Sequence, residues 1–129
     1  VAPFAAVEEQ PMSAPPVEPG VGLADVYFDF DRSDLTPAGR EVLEKNAKWL
    51  RSRGSVKVQV EGHADERGTN EHNIALGERR AQAVRRVLVA LGVPAASLST
   101  VSYGEEQPAC REHDESCWQK NRRAHLAVR

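Results

Sequence analysis

The 129-residue sequence predicts an α/β fold in the order strand, helix, strand, helix, strand, strand, and three features carry that expectation. Short runs in which apolar and polar residues alternate begin near Val26, Val56, Ser99 and Ala124. Two longer stretches place apolar residues at helical spacing, and glycine and proline punctuate the junctions. The length accommodates one compact domain with a modest core.

Residues 1–23 contain Pro3, Pro11, Pro15, Pro16 and Pro19 with Gly20 and Gly22, and they lack a helical period. They read as a flexible tether before a domain at 24–129, with a simple disordered end as the plainer alternative. From Val26 the period is two: Val26, Phe28 and Phe30 face one way, and Tyr27, Asp29 and Asp31 the other. Thr36 and Pro37 supply a helix cap and a first-turn residue, Leu43, Ala47 and Leu50 recur at helical spacing, and Gly54 stops the run. Val56, Val58 and Val60 alternate with Lys57, Gln59 and Glu61 in a second strand that ends at Gly62. A helix from about Asn70 to Leu91 presents Ala81, Val84, Leu88 and Leu91 on one stripe and ends at Gly92 and Pro94. Strands near Ser99–Tyr103 and Ala124–Val128 complete the order, with a long loop between them. If the first two strands run parallel, a right-handed crossover brings Asp31 and Asp65 to one rim, where ligands of α/β layers bind.

A formal charge of −2 with 28% charged residues argues against nucleic acid as a partner. The sequence has no apolar run of the roughly 18 residues that a membrane helix requires, and no signal-peptide pattern, so any export signal is expected to have been removed. Cys110 and Cys117 sit seven apart. On one straight helix they would be about 10.5 Å apart, so a disulfide requires the segment to bend or to pass from loop to helix between them. Two free thiols, or a zinc site built on Cys110, His113 and Cys117, are the alternatives; the disulfide is favoured in an oxidising compartment.

On a helical wheel Arg80 lies about 60° from the centre of the apolar stripe, and Asn73 falls near it two turns earlier. A boundary arginine packs its stem and keeps its guanidinium available for fork-like capture of a carboxylate. A surface ion pair with Asp65 or Glu66 is the plainer reading. Arg79, Arg85 and Arg86 are assigned to a solvated face.

Five blocks of sequence carry a resemblance. They are Phe28-Asp29-Phe30-Asp31, Gly62-His63-Ala64-Asp65-Glu66-Arg67-Gly68-Thr69, the stretch from Asn73 to Val84, Val101-Ser102-Tyr103-Gly104-Glu105-Glu106, and Lys120-Asn121-Arg122-Arg123-Ala124. Together they resemble the OmpA C-terminal-like family over about residues 26–129, and the wording is closer to its peptidoglycan-associated lipoproteins than to OmpA itself or to flagellar stator proteins. The resemblance implies an α/β sandwich of two long helices on a mixed four-stranded sheet. It implies non-covalent binding of peptidoglycan, through the diaminopimelate of the stem peptide, by Asp65 and Arg80. Asn73, Asp31, Thr69 and Phe30 fall where the family lines the same pocket. The chemistry agrees: the side-chain end of diaminopimelate carries an ammonium beside a carboxylate, so a site must offer an anion and a fork-like cation together.

By the same resemblance the domain is expected at the periplasmic face of the outer membrane, lipid-anchored in its full precursor. It would belong to the Tol-Pal envelope system, with a TolB-like propeller protein as a partner and no cofactor. A structural anchor of another envelope complex is the alternative. Ala64 stands where the family commonly has threonine, and His72 where tyrosine is usual; for His72 an exposed helix position is the simpler expectation. The cysteine pair is not general in the family, so the inferred disulfide would be local reinforcement. A metal-dependent wall hydrolase using His63, Asp65 and His72 is the competing class, but no HExxH pair or nucleophile with a convincing base appears.

Overall fold

The structure, a computed structural model, describes residues 23–54 and 56–129. The expected tether therefore lies outside the described residues except for Leu23, which is buried in the core and belongs with the domain.

The elements are β1 (Val26–Tyr27), α1 (Pro37–Arg53), β2 (Val58–His63), α2 (Asn70–Ala90), a 3-10 turn (Ala95–Ser97), β3 (Leu98–Gly104), α3 (Glu115–Asn121) and β4 (Arg123–Val128). The four strands form one mixed sheet in the order β1-β4-β2-β3. β2 is parallel to β3, and β4 is antiparallel to both β2 and β1, which makes β1 and β2 parallel, as the rim reading requires. The inward residues Val26, Val58, Val60, Ala124 and Leu126 share one core with Leu43, Ala47 and Leu50 of α1 and Ala81, Val84 and Leu88 of α2. This is an α/β sandwich of two long helices on a mixed sheet, with a third, short helix added.

Local chemistry sets the helix starts. Thr36 accepts a hydrogen bond from the Gly39 N–H at 3.0 Å and Thr69 one from the His72 N–H at 3.1 Å, each satisfying a donor that the first turn leaves open. Where α2 crosses the sheet, Gly62 of β2 and Gly77 of α2 meet backbone to backbone. A Cβ on Gly62 would overlap the Gly77 carbonyl, and one on Gly77 would overlap Ser102 Oγ.

Three expectations change. β1 stops at Tyr27, and the chain then turns, with Asp31 at φ 56° and Arg32 N–H donating to Asp29 O at 3.2 Å. Phe30 is consequently 52% exposed, not inward-facing like Val26 and Phe28. The carbonyls beyond Tyr27 are taken by arginine side chains, Arg122 on Phe28 O and Arg80 on Asp29 O, not by a neighbouring strand. β2 begins at Val58, two residues later than its alternation suggests. The long loop before β4 contains α3, whose cap Asp114 accepts from the Cys117 N–H at 3.0 Å.

Cys110 and Cys117 are joined, with Cα atoms 5.3 Å apart, and the described residues contain no free cysteine. The geometry works because Cys110 lies in loop and Cys117 in α3, so the thiol and zinc alternatives fall away. Asn121 anchors the same loop, accepting from the Ala109 and Cys110 N–H groups and donating to Cys110 O. Replacing both cysteines by serine is expected to cost about 2 kcal/mol or less in urea unfolding, because the closed ring is small and Asn121 keeps the loop in place. A loss above about 4 kcal/mol would show that the disulfide, not Asn121, organises the loop.

Candidate functional site

Because β1 and β2 are parallel, the loops that follow them, residues 28–32 and 64–69, come together at one rim beside the first turn of α2. They enclose a cavity of about 160 Å³ whose lining includes Phe30, Asp31, Asp65, Arg67, His72 and Asn73. Four of the six residues expected at the ligand are thus in one cavity wall. Thr69 caps α2 beside the cavity, and Arg80 lies behind it, outside the lining.

Asp65 is only 4% exposed. Its Oδ1 accepts from the Arg67 backbone N–H at 2.9 Å and from Arg67 Nε at 3.3 Å, while Oδ2 accepts from Arg67 Nη2 at 2.9 Å and lies 3.5 Å from Arg122 Nη1. Burial works to raise its pKa, but the hydrogen bonds from Arg67 and the charges of Arg67 and Arg122 outweigh burial and hold the carboxyl below its ordinary value. The shift is downward, so the stability it contributes is complete above the unfolded carboxylate pKa and is lost as pH falls through the lower folded one. Asp65 is an anion at neutral pH with its position fixed.

Asn73, 1% exposed, shares its Nδ2 among Asp65 O (3.2 Å), Arg67 O (3.1 Å) and Glu105 Oε1 (2.6 Å), and so fastens the Asp65 loop to α2. His72 Nε2 is 2.6 Å from Asp31 Oδ1, which ties the β1 loop to the first turn of α2. His72 is exposed as expected, yet it also lines the cavity.

Arg80 departs from the boundary reading. It is fully buried, and its guanidinium donates to three backbone carbonyls: Arg32 O at 2.8 Å, His63 O at 2.8 Å and Asp29 O at 3.0 Å. Those carbonyls flank Phe30, Asp31 and Asp65, so one cation holds both rim loops from behind. Three bonds from five N–H groups leave two unspent. Burial pulls its pKa down to about 10, with the charge of Asp65 opposing, so Arg80 stays charged at neutral pH. Its wheel position predicts a boundary edge that a loop can approach, and the turn after β1 does lie there, but it takes up the guanidinium that the boundary reading left available. Arg79 and Arg86 are exposed as expected, but Arg85 donates to Leu98 O and Ala95 O.

Of the three residues of the hydrolase reading, Asp65 and His72 line the cavity, but His63 does not join them. The His63 ring is buried with neither nitrogen hydrogen-bonded, and burial holds its pKa well below the ordinary value, so it is neutral. Among the described residues no three His, Cys, Asp or Glu side chains are grouped to hold a metal ion.

The sequence profile of the OmpA family matches residues 27–122, about three quarters of the chain. The chain belongs to the OmpA family. It is 54% identical over 102 residues to the peptidoglycan-associated lipoprotein of Haemophilus influenzae, covering 79% of this chain and 67% of that protein. Against the peptidoglycan-associated lipoprotein of Pseudomonas aeruginosa it is 53% identical over 104 residues, covering 81% and 61%. The chain therefore spans about two thirds of the length of these relatives. The crystal structure of the peptidoglycan-associated lipoprotein from Burkholderia pseudomallei superposes with a TM-score of 0.78 at 44% identity, covering 81% of this chain and 89% of that one. The C-terminal domain of Helicobacter pylori MotB superposes equally well, TM-score 0.78, at 24% identity, and shares the fold alone.

On this OmpA-family rim the sequence reading missed three residues. Arg67 pairs with Asp65 and packs on two rings, its Cζ 3.9 Å from the centre of Phe30 and 4.1 Å from that of Trp118. Trp118 Nε1 donates to Glu66 Oε2 at 2.8 Å, which also lies 2.6 Å from His113 Nδ1. Arg122 bonds Phe28 O and Glu115 and faces Asp65. Arg67 and Arg122 both sit in the blocks that carry the resemblance, whereas Trp118 lies outside them, and its one sequence signal is a large aromatic in a polar stretch.

Proposed function

We propose that this domain binds peptidoglycan without breaking it, seating the side-chain end of diaminopimelate with its ammonium against Asp65 and its carboxylate toward Arg80, beside Asp31, Asn73, Thr69 and Phe30. The observation that carries the reading is the pairing of a fixed, low-pKa carboxylate in a cavity wall with a buried guanidinium gripping the backbone of that same wall. A zwitterionic head group requires both signs within a few ångströms, and prearranged charges bind it with little reorganisation. The names of the relatives support peptidoglycan as the partner and a lipid-anchored place in the envelope. In this reading the full protein tethers an outer membrane from its periplasmic face, with a TolB-like propeller of the Tol-Pal system as a second partner.

The test is calorimetry with a soluble diaminopimelate muropeptide. Asp65→Asn keeps the shape and removes the charge, so affinity should fall at least about tenfold. The reading is wrong if Asp65→Asn and Asn73→Ala proteins, both folded, bind whole sacculi as tightly as the parent.

A further inference from the structure

Among the described residues Arg67 is the one arginine or lysine that lines the cavity, and its bonding is unevenly distributed. One edge of its guanidinium, Nε and Nη2, is spent on the two oxygens of Asp65. Five N–H groups less two leave three, including both hydrogens of Nη1. Among the described residues the anion nearest that second edge is Glu115, whose Oε1 is 3.8 Å from Nη2, too long for a hydrogen bond, and whose other oxygen is held by Arg122 at 2.9 Å. The faces of Phe30 and Trp118 both pack on the guanidinium, with Cζ 3.9 and 4.1 Å from the ring centres, and the side chain is 32% exposed. An arginine packed on two rings, with one edge bonded and the other unspent, is preorganised for a second planar anion.

We propose that Arg67 is a specificity-determining residue that receives a second carboxylate of the ligand through its Nη1–Nη2 edge, and this rests on the reading that Asp65 takes the ligand's ammonium. The ligand chemistry supplies a candidate group. In a stem peptide the D-glutamate before diaminopimelate is joined through its side-chain carboxyl, so its α-carboxylate is free and one residue from the ammonium. Asp65 can keep Arg67 and still accept the ammonium, because a carboxylate has about four lone-pair sites. Ammonium, Asp65, Arg67 and carboxylate then alternate in sign along the cavity wall. Amidation of the α-carboxylate would remove the charge and replace an acceptor oxygen with a donor facing a donor.

The experiment measures affinity for two soluble tripeptide muropeptides, one with the free α-carboxylate and one with it amidated, on the parent and on Arg67→Gln and Arg67→Lys. The parent should prefer the free acid by about tenfold. Arg67→Gln should bind both forms alike, and Arg67→Lys, which keeps the charge without the fork, should retain part of the preference. The ratio of two ligands on one protein cancels any general loss of stability in a variant. Equal binding of both forms by the parent, or an undiminished preference in Arg67→Gln, overturns the proposal. Asp65→Asn separates the two layers: loss of both ligands upholds the underlying site, whereas unchanged affinity for both removes that site and this proposal with it.

Discussion

Gly62→Ala is expected to destabilise the domain by at least about 3 kcal/mol, the upper end of the range for forcing atoms into packed structure. The added methyl would meet the Gly77 carbonyl, which is backbone and cannot rotate away, so α2 must lift from β2. Lifting α2 would part Ala81, Val84 and Leu88 from Val58 and Val60, so the overlap is felt across the core. Gly77→Ala is the informative companion. Its overlap is with Ser102 Oγ, a side-chain atom that now donates to Ile74 O at 2.7 Å. Pairing Gly77→Ala with Ser102→Ala removes that obstacle, although the Gly62 carbonyl still stands 2.9 Å from the new Cβ, so only part of the stability should return. Urea midpoints of the three proteins check the order. A Gly62→Ala protein within about 1 kcal/mol of the parent would show that the helix and sheet can separate freely there.

Arg80→Ala is expected to cost about 3 kcal/mol or more, whatever its part in ligand binding. The change strips hydrogen bonds from three carbonyls, leaves a buried space and releases both rim loops at once. Arg80→Lys should recover little, since one ammonium on a shorter reach cannot span Asp29, Arg32 and His63 together. Both are read by urea unfolding, and a cost below about 1 kcal/mol for Arg80→Ala would mean the loops hold themselves. The consequence for binding studies is practical: weak attachment of an Arg80 variant to sacculi has to be measured at a temperature where the variant is folded. Asp65→Asn, which keeps the shape of the side chain, is the cleaner probe of charge recognition.

What the sequence made legible is what neighbours in the chain decide. Thr36 with Pro37 announces a helix start, and both α1 and the helix expected from about Asn70 begin where expected. The alternation at Val58 and Val60 marks an inward face because period two is a local property of extended chain. Phe30 was misjudged because the pattern continues past the point where two arginines capture the backbone, one of them 94 residues from Phe28. The free guanidinium expected of a boundary Arg80 is taken up for the same reason: a helical wheel gives direction, not what the rest of the chain lays across it. The packing of Arg67 on Phe30 and Trp118 joins positions separated by 37 and 51 residues, and no spacing rule reaches that far. The family wording supplied Asp65, Asn73 and Arg80 as a group, but not that Arg80 acts on backbone.

The position of β4 between β1 and β2 bears on how the protein is made. The two strands whose ends carry the rim loops are not neighbours; the last strand of the chain separates and joins them. As the polypeptide emerges from the ribosome, Asp31 and Asp65 are both present early, but the strand that brings their loops together is missing until residues 123–128 arrive. Assembly of the cavity wall thus waits until residues 123–128 have been made, and a chain cut short before β4 carries the rim loops without the frame that brings them together.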